Sequence, residues 1–218
     1  MVFQLQVNLI SQLKLTNKYI FSFTGNSLRL KEMILIAAHL RSEADFDVVE
    51  QIGGGRRKTA ITIYNECKNR LSYLTPDQTT LLINGDLAAK RQMAFLAMCK
   101  FHAFIRDFTV EVVREKYLLF DYTLTKGDYF SFFRSKLELH PNMEKLTNSS
   151  QDSVRQVTFK VLEQAGIIDN IRSMQIQLQM LSSDVFRVIA EDQPDLLKIF
   201  LVSDLEIRNA MTQYGKHF

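Results

Sequence analysis

Disulfide chemistry, a membrane span and low-complexity sequence are all missing from this chain. Only two cysteines occur, Cys67 and Cys99, and both fall within helical patterns, so no disulfide framework is available. Three prolines and eight glycines among 218 residues leave little room for disordered segments. The longest apolar runs, Met33 to Leu40 with His39 inside it and Met93 to Cys99 before Lys100, fall far short of the roughly 20 residues a membrane span requires. The N-terminus shows no basic stretch followed by a long apolar run and a small-residue cleavage site. A secretory signal is therefore not expected, and the chain reads as cytoplasmic with no membrane partner. A large charge of either sign is also missing: the formal net charge is +3, too small to mark a nucleic-acid protein by itself. Its distribution says more. Residues 1–75 hold 10 Lys/Arg against 6 Asp/Glu, residues 76–145 hold 10 against 9, and residues 146–218 hold 7 against 9, so the positive excess is N-terminal.

What is present is patterned for helices. Hydrophobic residues make up 46% of the chain, enough for one large domain or two small ones with cores of their own. Cap chemistry at Thr24 to Ser27 precedes a helix from about Leu28 to Leu40, and Phe46, Val48, Val49 and Ile52 form an apolar face over Asp45 to Ile52. Gly53-Gly54-Gly55 breaks that helix. Ile61, Tyr64, Cys67, Leu71 and Leu74 then recur at helical spacing over Arg56 to Leu74. Thr75-Pro76-Asp77 punctuates the chain, and Asn84-Gly85-Asp86 precedes a strongly helical stretch from Leu87 to Arg106. Helices follow at about Thr109 to Leu119 and Gly127 to Leu139, and His140-Pro141-Asn142 is the best boundary between two domains. Beyond it, Ser149 or Ser150 can cap a helix to Ala165 that Gly166 ends. Met174, Ile176, Leu178 and Met180 then alternate with Gln175, Gln177 and Gln179, the period of a half-buried strand that Ile167 to Ile171 could pair with. Terminal helices fit Asp184 to Ala190 and Pro194 to Ala210.

The expected fold class is therefore mainly α, in two helical modules. Residues 1–141 hold a helix-turn-helix over about 24–75 and a central helical core over about 86–139. Residues 142–218 form a winged-helix-like domain with a small C-terminal β-hairpin wing. A helix, a glycine turn and a second helix opening on Arg56, Arg57, Lys58, Thr59 and Thr62 is the order in which a helix-turn-helix presents its second helix to DNA. Basic and hydroxyl groups at a helix start suit phosphate oxygens. A phosphate-loop reading of Gly53 to Thr59 fails, because arginine stands where glycine must precede Lys-Thr and a helical pattern precedes the loop. In the C-terminal module Ser150, Gln151, Ser153, Arg155 and Gln156 are suited to phosphate and base-edge contacts, with Arg172 and Gln175 reaching from the wing. A packing or partner-contact role for that module competes with this reading, because its charges cancel.

Chemistry of other kinds finds little support. Cys99 and His102 share a helical face, yet no second Cys/His pair follows at zinc-site spacing, so no metal and no cofactor are expected. No nucleophile-elbow or triad arrangement can be assembled by motif, and Asp121 and Asp128 lack the strand framework that converges carboxylates on a metal. An enzyme is not expected.

The order of SLRLKEMILIA at Ser27 to Ala37, RRKTAITIYNECKNRLSYL at Arg56 to Leu74, MAFLAMCKFHAFIRDFTVEVVREKY at Met93 to Tyr117 and LTNSSQDSVRQVTFKVLEQAGII at Leu146 to Ile168 resembles the BrxA family of BREX bacteriophage-exclusion systems. That family was once described as inner-membrane proteins and compared with the antitermination factor NusB. The resemblance covers most of residues 24–210. It implies a non-enzymatic, helix-rich protein that binds double-stranded DNA beside other components of the BREX system. Two alternatives stand beside it: a protein-interaction adaptor within the defence complex, and a NusB-like RNA-binding protein. DNA contacts are expected to be mainly to the backbone, with the electrostatic work at Arg56, Arg57 and Lys58.

Overall fold

The computed structural model describes residues 19–42 and 45–214. Residues 1–18, for which the sequence shows little pattern, lie outside the described residues. Within the described residues the chain is mainly helical. Helix α1 runs Leu30–His39, α2 Val48–Gly53, α3 Arg57–Leu71, α4 Pro76–Asn84 and α5 Leu87–Phe101. Helix α6 (Ala103–Phe108) passes through a π-helical turn (Thr109–Arg114) into α7 (Glu115–Leu118); α8 (Lys126–Leu137), α9 (Asn148–Ala165), α10 (Ser183–Ala190) and α11 (Asp204–Tyr214) complete the order. Two 3-10 turns, Ser22–Gly25 and Pro194–Phe200, stand at either end.

Helix α5 is the axis of the fold. Its residues from Gln92 through Lys100 are all buried, as befits a helix that is apolar on every side. It is wrapped by α1, α3, α4, α9, α10 and the 3-10 turn at Pro194–Phe200. Val154, Phe159, Val161 and Leu162 of α9 belong to the same apolar cluster as Met93, Phe95 and Phe108, so the core is continuous across residue 141. A side-chain bond makes the same crossing: the Leu28 amide donates to Gln164 Oε1 at 2.9 Å. Lys100, 8% exposed, donates to the Tyr73 carbonyl and to Gln78 and Asp192, tying α5 to the C-terminal third.

Several elements differ from the sequence reading. Helix α4 replaces what reads as punctuation, because Thr75 and Gln78 form a capping box and Pro76 takes the first helical position, where its missing N–H costs nothing. The long helix expected to Arg106 breaks at His102, whose backbone leaves helical angles to place its ring in the core. The helix expected from Pro194 to Ala210 divides at Leu201, held at φ 63. In α3 the buried stripe is Ala60, Ile63, Glu66, Cys67, Arg70 and Leu71; Ile61, expected inside, is 45% exposed. The helix to Ala165 is capped by Thr147 rather than by Ser149 or Ser150, and Gly166 ends it at φ 77 as expected.

The β-hairpin wing is the largest difference. Among the described residues the alternating Gln/apolar ribbon forms two isolated antiparallel bridges, Thr123 with Gln175 and Ile168 with Ile176, and no extended strand. Local polar side chains take the groups that a ladder would use. Asp169 accepts from the amides of Asn170 and Gln175, Asn170 accepts from those of Arg172 and Ser173, and Gln177 and Gln179 donate to carbonyls at Gln175 and Gln177. Met174 sits at φ 50, which also interrupts extended pairing.

Candidate nucleic-acid interface

The α2–turn–α3 corner is built by glycine. Asp47 caps α2, accepting from the Val49 and Glu50 amides. Gly54 (φ 52) and Gly55 (φ 80) then reverse the chain in left-handed conformations that side chains disfavour. Gly53 serves a different purpose: a Cβ there would lie 2.5 Å from Ala60 Cβ, so its missing side chain lets α2 and α3 touch. This close contact fixes where α3 begins.

The start of α3 is open. Arg56, at the N-cap position, makes no side-chain cap bond, and no acidic residue stands in the first turn. The amides of Arg57, Lys58 and Thr59 find no acceptor among the described residues, whereas α2, α4, α5, α8, α9 and α10 each have a capping side chain. Arg56, Arg57, Lys58, Thr59 and Thr62 are all exposed, and the three cations make no ion pair among the described residues. Thr62 Oγ1 donates to the Lys58 carbonyl at 2.9 Å, within its own helix. Uncapped amides, the positive end of the helix dipole and three unpaired cations therefore coincide at one place, the arrangement that receives phosphate oxygens.

The same helix carries polar residues outward that sequence reasoning missed. Asn65, Lys68 and Asn69 are exposed and continue the line from Lys58 and Thr62 at helical spacing. The signal was available as the polar complement of the buried stripe.

The C-terminal candidates are arranged differently. Ser150 Oγ lies 2.9 Å from the capping Thr147 Oγ1, the Gln151 amide donates to the Leu146 carbonyl, and Ser153 donates to Ser149. Arg155 pairs with Asp152 at 2.9 Å and lies over the Phe130 ring, and Lys160 pairs with Glu163. Gln175 joins Thr123 at 3.2 Å. Only Gln156 and Arg172 keep exposed side chains with no protein partner among the described residues. Helix α9 thus does not gather its predicted contact residues into a free basic surface.

Behind α3 lies a buried charge cluster that positions it. Arg70, fully buried, donates to Glu66 and to the carbonyls of Asn26, Ser27 and Leu28. Glu66 Oε1 also meets His102 Nε2 at 2.6 Å, while His102 Nδ1 lies 3.2 Å from the Ile20 carbonyl. Burial pushes the Glu66 carboxyl up, but the His102 hydrogen bond and the Arg70 charge outweigh it and bring it down to about 2. Two acceptors around one ring favour the imidazolium, yet burial is the larger influence and holds the His102 pKa below its ordinary value. Cys99, the other half of the sequence pair, is a buried free thiol whose pKa burial raises. Among the described residues no cluster of His, Cys, Asp or Glu could hold a metal, and no helix is long and apolar enough to cross a membrane.

Relatives are consistent with this architecture. The chain is 26% identical over 197 residues to the BREX protein BrxA of Escherichia coli O9:H4 (strain HS), covering 87% of this chain and 92% of that protein. It is 20% identical over 185 residues to the BREX protein BrxA of Paramagnetospirillum magneticum (strain ATCC 700264 / AMB-1), covering 80% and 92%. The crystal structure of an uncharacterized protein from Magnetospirillum magneticum shares the fold, with a TM-score of 0.72 at 19% identity over 84% of this chain and 98% of that one. The BrxA family model matches residues 17–193, and the chain belongs to the BrxA family.

Proposed function

We propose that this protein is a non-enzymatic, double-stranded-DNA-binding component of a BREX bacteriophage-exclusion system, with α3 as its main contact. The family supports the phage-defence setting, and other BREX components are its natural protein partners. The observation that carries the DNA reading is the uncapped, unpaired basic start of α3 after a glycine turn. Phosphate contacts at Arg56, Arg57 and Lys58 position the helix, and the outward line of Thr62, Asn65 and Asn69 faces the groove. Backbone contacts dominate, so binding is largely independent of sequence. The C-terminal module, with its paired charges and irregular ribbon, acts as an auxiliary or partner-facing surface in a winged-helix-like arrangement.

The test is a comparison of two charge variants in fluorescence-anisotropy binding to a duplex. Changing Arg56, Arg57 and Lys58 together to Ala lowers affinity, whereas changing Arg155 and Lys160 to Ala leaves it nearly unaltered. Equal losses in the two variants would remove the assignment to α3. Preference for single-stranded RNA in competition would favour the NusB-like alternative, and salt-insensitive binding together with a co-purifying BREX partner would favour an adaptor.

A further inference from the structure

Ile61 is out of place on α3. Read by spacing it belongs to the buried stripe, yet it is 45% exposed and joins neither the core cluster nor the apolar residues packed against it. At about 100° per residue, the buried positions Ala60, Ile63, Glu66, Cys67, Arg70 and Leu71 centre on the side of the helix opposite Asn65. Ile61 lies about 40° from Asn65, one turn before it, and so stands near the middle of the outward face. Its neighbours there are Lys58, Thr62, Lys68 and Asn69, all exposed. Single exposed apolar residues are ordinary on a protein surface. This one stands on the face that carries the unpaired cations, where a hydrocarbon has few partners to choose from.

A phosphate oxygen gains nothing from a hydrocarbon neighbour. The major groove of a duplex presents one apolar group, the C5 methyl of thymine, among the donors and acceptors of the base edges. Isoleucine suits that contact because its β-branched side chain keeps one strongly preferred rotamer in a helix, so little freedom is lost when it packs. Asn65 supplies the matching polar group. Thr62 Oγ1 is taken up by the Lys58 carbonyl, whereas the Asn65 amide makes no bond among the described residues, and an asparagine can pair both its groups with N6 and N7 of adenine. Residues four apart on a helix have Cβ atoms about 5–6 Å apart, a span of one or two base pairs at about 3.4 Å each. A docking groove for a protein side chain needs more apolar surface than one residue among cations and amides offers.

We infer that Ile61 packs on the C5 methyl of a thymine while Asn65 bonds the edge of an adenine in the same or the next pair, so that α3 favours A·T over G·C. The inference rests on the proposed docking of α3 in the groove. It adds a modest base preference to an affinity that the backbone contacts supply.

The probe is a fluorescein-labelled duplex of A·T pairs between short G·C clamps, made either with thymine or with uracil, which pairs alike and lacks the methyl. The full chain binds the thymine duplex more tightly, by roughly fourfold for each methyl covered. Ile61→Ala, at an exposed position, keeps the unfolding midpoint and binds the two duplexes alike, whereas Ile61→Val retains part of the difference. Replacing adenine by 7-deazaadenine, which lacks N7, weakens the wild type roughly fivefold and leaves Asn65→Ala unaffected. Equal wild-type affinity for the thymine and uracil duplexes overturns the inference, as does a thymine preference that survives in Ile61→Ala. A wild type that ignores 7-deazaadenine overturns the Asn65 contact. Where thymine and uracil bind equally but the Arg56, Arg57 and Lys58 triple variant loses affinity, the α3 reading stands and this inference alone falls. A wild type that binds neither duplex overturns both.

Discussion

Gly53 and Glu66 show how single residues set the geometry of α3 from opposite sides. A Cβ at position 53 would meet Ala60 Cβ at 2.5 Å, and Ala60 is itself fully buried, so neither helix has much room to give. Gly53→Ala is therefore expected to lower stability by roughly 1–3 kcal/mol despite the better helix propensity of alanine, as a lowered thermal midpoint would show. Glu66 works from behind. Its carboxyl is held at about 2 against an ordinary value of 4.5, so it stabilises the folded chain fully above pH 4.5. That contribution, on the order of 3 kcal/mol, is lost as pH falls from 4.5 toward 2. His102, whose pKa burial lowers, adds to acid destabilisation from nearer its ordinary value downward. Urea midpoints measured across pH should fall through this window, and Glu66→Gln should flatten the segment below pH 4.5.

At the scale of the element, the contrast between α3 and α9 decides which helix faces DNA. Both follow polar or glycine-rich turns, and sequence alone makes either a recognition helix. What separates them is how their starts are satisfied: α9 opens on a threonine cap and a paired Asp152–Arg155, whereas the first turn of α3 has no side-chain cap and no ion pair among the described residues. The open end should cost stability. Position 56 already has the extended backbone of an N-cap, so Arg56→Asp supplies the missing acceptor and is expected to raise stability by roughly 0.5–2 kcal/mol while weakening duplex binding. Calorimetry and anisotropy on that one variant check both halves. Apolar spacing made most helices legible, together with caps such as Asp86 and stops such as Gly166. The sequence reading went astray where a residue's polar side chain decides the outcome. Thr75 with Gln78 made a helix out of apparent punctuation, Asp169 and Asn170 prevented a hairpin, and Arg70 and Glu66 took core positions that apolar counting passes over. The basic opening of α3 could be read directly because it consists of adjacent residues. The Glu66, Arg70 and His102 cluster behind it could not, because its members come from separate elements.

For the molecule as a whole, α5 organises the helices around one continuous core, and the N-terminal excess of positive charge comes to the surface at α3. A net charge of +3 gives weak general attraction to nucleic acid, so affinity must come from a local cluster. The C-terminal third contributes packing through Lys100 with Asp192 and through Arg114 with Asp204, and its own charges are largely spent within the fold. The most direct measurement is duplex affinity as a function of salt, for the full chain and for the Arg56, Arg57 and Lys58 triple alanine variant. Each phosphate contact contributes a slope of about −0.9 in log affinity against log salt. The wild type should show a clear negative slope, and the variant should lose roughly 2–3 of it along with most of its affinity. Identical slopes in the two proteins, or wild-type binding that ignores salt, would contradict the account.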